Sequence, residues 1–108
     1  MELKDIKSVY FVGAGGIGMS AIARYFLHIG VVVAGYDKTP SALTKELEKE
    51  GMDIHYEENV ALIPAACKDA SSTLVIYTPA IPQEHQELVY FHENGFTIEK
   101  RAQVLGTL

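Results

Sequence analysis

Residues 13–18 read Gly-Ala-Gly-Gly-Ile-Gly, four glycines in six positions. A stretch so poor in side chains weakens the local fold unless the backbone must turn sharply or admit a close neighbour. It follows Ser-Val-Tyr-Phe-Val at residues 8–12, an apolar, β-rich run of the kind buried on both faces of a sheet. Beyond it, Ile17, Ala21, Ile22, Tyr25, Phe26 and Ile29 recur at spacings of three and four. That spacing predicts a helix over residues 16–28, stopped by Gly30. Strand, Gly-x-Gly-x-x-Gly, helix is the context in which this pattern has a mechanism. Gly13 is expected to make the tight turn, Gly15 to let a phosphate reach the backbone, and Gly18 to let helix and strand lie close. The N–H groups near Gly16, Ile17 and Gly18 are expected to face an anion, helped by the helix dipole. The ligand so described carries a diphosphate; the loop does not say which one.

The rest of the chain repeats the alternation. Strands are predicted over 31–36, 52–55, 73–78 and 96–98, and helices over 41–50 and 83–94, stopped by Gly51 and Gly95. Residues 58–64 are compatible with one helical turn, and a last helix is predicted over 101–108. Such alternation predicts an α/β, three-layer, Rossmann-like doubly wound fold on a mostly parallel five-stranded sheet. Asp37, nineteen positions after Gly18, ends the second strand. It suits an acid that accepts a ribose hydroxyl, or a turn Asp in Asp37-Lys38-Thr39-Pro40.

Charge and cysteine content narrow the class. The 108 residues carry 9 Lys plus Arg against 14 Asp plus Glu, net −5. That argues against nucleic acid as a partner but not against a small anion held by backbone amides. One cysteine, Cys67, excludes an intrachain disulfide. No apolar run reaches the ~20 residues of a membrane span, and the first residues lack the layout of a signal peptide. The expected setting is the cytoplasm, with no membrane contact.

At Gly13-Ala14-Gly15-Gly16-Ile17-Gly18-Met19-Ser20-Ala21-Ile22-Ala23 the chain resembles the Mur ligase family. In its alanine-adding members the amino-terminal motif reads approximately Gly-Ile-Gly-Gly-x-Gly-Met-Ser-x-Ile-Ala. Met19-Ser20 is more specific than the glycines. Residues 31–37 are similar to the family's second strand ending in Asp, Thr78-Pro79-Ala80-Ile81 to its Ser/Thr-x-Ala-Ile loop, and Arg101-Ala102-Gln103-Val104-Leu105 to its Arg-Ala-Glu-x-Leu. The departures are Ala14 for Ile, Tyr36 for Ser, Pro82-Gln83-Glu84 for Asn-Pro-Glu, and Glu57 after His55-Tyr56 in place of Gly-His.

The resemblance implies an amino-terminal domain that holds the UDP part of UDP-N-acetylmuramate. The enzyme would join L-alanine to that nucleotide sugar in peptidoglycan synthesis. Its implied contacts are Gly13, Ala14, Gly15, Gly16, Ile17, Gly18, Met19 and Ser20 at the diphosphate and sugar. Asp37 and Lys38 would lie at the ribose or uracil, and Thr78, Pro79, Ala80 and Ile81 in the crevice. It also implies ATP and Mg²⁺ in a central domain with a Gly-Lys-Thr-Thr loop, and a carboxy-terminal amino-acid domain. No Gly-x-x-x-x-Gly-Lys-Ser/Thr occurs in these residues. The expectation is a binding domain over 1–100, the start of a junction over 101–108, no cofactor of its own and no catalysis alone. Leu105 and Leu108 would then find their packing partners in the following domain. Two alternatives remain: a ligase that recycles murein tripeptide, and an NAD-binding regulatory or dehydrogenase domain, which Asp37 also suits.

The other chemically active side chains read as structural. His85 and His92 share a predicted helix face without an acid or cysteine to complete a metal set. His28 suits a helix end, and His55 ends a short strand. Cys67 has no feature that would lower its pKa.

Overall fold

A computed structural model describes residues 2–16 and 18–100. It contains β1 (Ser8–Val12), α1 (Met19–His28), β2 (Val32–Tyr36), α2 (Ala42–Lys49), β3 (Asp53–His55), β4 (Thr73–Tyr77), α3 (Gln86–Glu93) and β5 (Thr97–Lys100). Single 3-10 turns occur at Leu3–Asp5, Val60–Leu62 and Ala65–Cys67. The sheet runs β3-β2-β1-β4-β5, and every neighbouring pair is parallel. The α/β fold is the expected one, and the sheet is wholly rather than mostly parallel. The helix predicted over 101–108, with Leu105 and Leu108, lies outside the described residues.

β1 is central and buried along its whole length. Its side chains alternate between two clusters. Val9 and Phe11 join Met19, Ile22, Phe26, Leu47 and Met52 under α1 and α2. Tyr10 and Val12 join Ile63, Cys67, Phe91 and Phe96 under α3 and the 3-10 turns. A strand covered on both faces is mostly apolar, which is why residues 9–12 show no polar alternation, and the buried Ser8 hydroxyl is hydrogen-bonded to Ala66 O and Thr73 Oγ1.

Two helix starts differ from expectation. α1 begins at Met19, not at residue 16, because Gly18 is left-handed (φ 80°) and caps the helix from outside. α3 begins at Gln86, not at residue 83, because residues 82–85 close a turn in which the His85 N–H donates to Pro82 O (3.1 Å). α2 begins where expected for a capped helix. The Thr44 N–H donates to Ser41 Oγ (3.2 Å) and the Ser41 N–H to Thr44 Oγ1 (2.8 Å), a reciprocal capping box.

The order β3-β2-β1-β4-β5 reverses direction between β1 and β4. β1 is continued toward β2 on one side and abuts β4 on the other. The crevice outside the carboxyl ends of those strands is where ligands settle in open parallel sheets.

Candidate functional site

Three loops meet at this crevice, after β1, β2 and β4. The first is pinned to the second by backbone. The Gly13 and Ala14 N–H groups both donate to Tyr36 O (2.8 Å each). The Gly16 N–H donates to Gly13 O and the Met19 N–H to Gly16 O (3.1 Å each), so the loop closes on itself before α1 starts. A side chain links it to the β2 loop: the Gly15 N–H donates to Asp37 Oδ1 (3.0 Å), and the Thr39 N–H to Asp37 Oδ2 (3.2 Å). Asp37 is therefore both the acid at the end of β2 and a brace for the glycine loop.

This geometry redistributes the roles expected of the glycines. Close packing demands a glycine at Gly16 as well: a Cβ there would lie 2.5 Å from Thr78 Cγ2. At Gly15 a Cβ would point at Asp37 and Thr44, at about 3.3 Å. The Gly16 N–H, expected to face an anion, is spent inside the loop. Periodicity could not show this, because loop-internal bonds depend on dihedral angles and not on residue spacing.

A cleft of about 480 Å³ opens beside the loop. Gly13, Gly15 and Gly16 form one wall, Asp37 and Lys38 a second, and Thr78, Ala80 and Ile81 a third. Eight of the expected site residues thus surround one space. Of the other described candidates, Ala14, Gly18, Met19, Ser20 and Pro79, none lines it. Ala14 and Met19 are buried, with side chains in the cluster under α1 and α2. Ser20 lies in the first turn of α1, and Pro79 is exposed. Ile17 lies outside the described residues.

Four residues join the lining that sequence reasoning did not assign to it: Tyr36, Glu58, Pro82 and His85. Tyr36 had stood out only as a departure from Ser, and His85 only as a doubtful metal ligand. His85 is buried and caps α3, its Nδ1 accepting the Glu87 N–H (3.2 Å). Its ring packs against Tyr36, centroids 4.7 Å apart. Burial first, then the negative charges of Glu58, Glu87 and Asp37, raise the Tyr36 hydroxyl above its usual range.

Beneath the cleft lies a polar network. Glu87 is fully buried and accepts from Tyr10 Oη, from His55 Nε2 (2.8 Å) and from the Asn59 N–H (3.1 Å). His55, read from the sequence as a structural residue at the end of a short strand, is held by this carboxylate. Burial and the adjacent Glu87 push the Tyr10 hydroxyl far above its ordinary value. The sequence held a signal for this network: Glu87 stands four positions before Phe91, on the inward stripe of α3. Cys67 is buried, and desolvation pushes its thiol up to about 11, so it is no nucleophile. Among the described residues no cluster of three His, Cys, Asp or Glu could hold a metal ion, and no helix is long and apolar enough to cross a membrane.

Comparison with known proteins agrees with the fold. A family model described as "Mur ligase family, catalytic domain" matches residues 8–108. The chain belongs to the Mur ligase family. It is 62% identical over 108 residues to a UDP-N-acetylmuramate–L-alanine ligase of Parabacteroides distasonis, covering all of this chain and 23% of that protein. Among solved structures, the UDP-N-acetylmuramate-alanine ligase MurC of Thermotoga maritima superposes with a TM-score of 0.79 at 31% identity, over 91% of this chain and 21% of that one. The UDP-N-acetylmuramate:L-alanyl-gamma-D-glutamyl-meso-diaminopimelate ligase of Neisseria meningitides shares the fold, with a TM-score of 0.78 at 18% identity over 94% of this chain and 31% of that one. The chain thus spans about a quarter of the length of the curated relatives it matches.

Proposed function

We propose that this domain holds the UDP part of UDP-N-acetylmuramate, within a cytoplasmic enzyme that joins L-alanine to that nucleotide sugar. The observation that carries the proposal is the glycine loop, braced by Asp37 and packed on Thr78 at the head of a cleft between β1, β2 and β4. Lys38 is a cation among the described lining residues and supplies charge for the diphosphate. Gly13, Gly15 and Gly16 keep the wall free of side chains where the phosphates approach. Thr78, Ala80 and Ile81 close the far wall. The alanine-ligase names of the relatives supply the substrate.

The relatives are similar to this chain over a quarter of their length, so the remaining machinery is assigned elsewhere. The relatives' ATP and Mg²⁺ chemistry is assigned to the part of their length that this chain does not cover. Here the substrate is positioned; the acyl phosphate is made and attacked elsewhere, and this chain alone adds no alanine.

A thermal-shift titration tests the proposal. UDP-N-acetylmuramate raises the melting midpoint of the chain in a saturable way, and NADH does not. A rise with NADH and none with the nucleotide sugar would favour the dinucleotide alternative and overturn this one.

A further inference from the structure

Glu87 is the only buried carboxylate among the described residues. Taking a carboxylate out of water is costly, and an apolar side chain of the same volume often stabilises a fold as well or better. Its bonds show what it fixes instead. Tyr10 Oη donates to Oε1, while His55 Nε2 and the Asn59 N–H share Oε2 (2.8 and 3.1 Å). The last two partners lead to the cleft. His55 O accepts the Asp37 N–H (3.1 Å), so the His55 side chain anchors the strand end that carries the Asp37 wall. Asn59 follows Glu58, a lining residue whose Oε2 accepts the Gln86 N–H (2.9 Å). Residues 58–59 and 86–87 are therefore cross-tied, each pair giving the other one carboxylate and one backbone N–H.

Between β3 and β4 the chain forms only single 3-10 turns. With no ladder or α-helix in that stretch, the cross-tie sets where the Glu58 wall stands. We propose that Glu87 is a positioning residue for the cleft. Fully buried, it touches no ligand. It holds the Asp37 wall through His55 and the Glu58 wall through Asn59, so that both stand in place before the nucleotide arrives. A wall that is in place only part of the time lowers the apparent affinity by that fraction. The inference rests on the nucleotide reading given above and adds a residue that keeps the site formed.

Three variants separate positioning from stability. UDP binding is measured by calorimetry at a temperature where each variant is folded, and amide hydrogen exchange reports the tie itself. Glu87→Ala removes the acceptor, so UDP weakens about tenfold and the Asn59 amide exchanges faster by a similar factor. Glu87→Gln sets its remaining oxygen at the Oε2 position and turns its amide to Tyr10, whose hydroxyl rotates to accept. UDP affinity there returns to within about threefold of the wild type. Phe26→Ala, on the opposite face, loses at least as much stability and leaves UDP affinity within about twofold. Equal losses of affinity in Phe26→Ala and Glu87→Ala would mean that affinity follows stability alone. Full affinity in Glu87→Ala would mean that the walls stand without the tie. Either result overturns the proposal while the nucleotide site stands. Should Glu87→Ala not fold, Glu87→Leu fills the same space without an acceptor and takes its place. A wild-type Asn59 amide that exchanges as fast as an exposed loop amide overturns the proposal by itself. A wild-type chain that binds no UDP overturns the nucleotide reading, and the positioning role with it.

Discussion

The two faces of the sheet are built on different principles. Under α1 and α2 the large buried side chains are hydrocarbon and thioether, Val9, Phe11, Met19, Ile22, Phe26 and Leu47, and the buried Thr44 bonds within its own helix cap. Under α3 the same strand contributes Tyr10, and the face buries Glu87 together with His55 and the Asn59 amide. The first face is a non-directional contact that tolerates any well-packed filling. The second is directional and holds only if every partner is present. The cleft side chains that structure revealed, Tyr36, Glu58 and His85, all sit against the second face. The cleft is thus walled on the side where hydrogen bonds fix the geometry.

The contrast can be broken first at its strongest points. Phe26→Ala, on the apolar face, should cost about 3–5 kcal/mol of unfolding free energy, read from urea midpoints. Glu87→Ala should cost about 3 kcal/mol, because it strands the Tyr10 hydroxyl and the Asn59 N–H. Glu87→Gln, equal in volume, should cost about 1 kcal/mol, since one oxygen still accepts. Equal losses for the two Glu87 variants would show that charge, not pairing, holds this face.

The glycine loop comes next. Gly16→Ala drives a Cβ into Thr78 Cγ2 and should cost about 1–3 kcal/mol. Thr78→Ser removes that methyl, so the double variant should recover more than half of the loss. A double-mutant cycle with no coupling would mean that the loop relaxes elsewhere.

A pH series tests the α3 face alone. The Cys67 thiol ionises near 9.0 in an exposed chain and about 11 in the fold. Above pH 9 the unfolded chain releases this proton and the native chain keeps it, so stability is full below pH 9 and falls as pH rises toward 11. Tyr10 acts in the same direction above pH 10, its unfolded value. Cys67→Ala should flatten the urea midpoint between pH 9 and 10. An unchanged slope would assign the loss to other groups.

The smallest effect belongs to the α2 cap. Ser41→Ala should cost about 1 kcal/mol with no change in nucleotide affinity. A change in affinity would tie α2 to the cleft through Thr44, which faces Gly15.

Much of the architecture was legible from local pattern. Residues 8–12, followed by the glycines and a helical stripe, specify one strand–turn–helix unit, because apolar periodicity and turn chemistry act between near neighbours. The helix stops at Gly30, Gly51 and Gly95 were readable for the same reason, and all three take positive φ. So were Asp37 and Thr78, since parallel strands place their carboxyl ends together. The starts of α1 and α3 were less legible, because they depend on loop closures at Gly18 and over residues 82–85.

By itself, the sequence determined the order of strands and helices, the glycine loop and the family. Those follow from period, spacing and motif, all of which are local. Tertiary structure alone decided that Glu87 bonds Tyr10 and His55 across 77 and 32 positions. It alone decided that Asp37 braces Gly15, and that Glu58 comes to 3.7 Å from His85. Such contacts join residues that no period links. They exist only after the sheet has set β1 beside β2 and β4 and carried α3 across their ends.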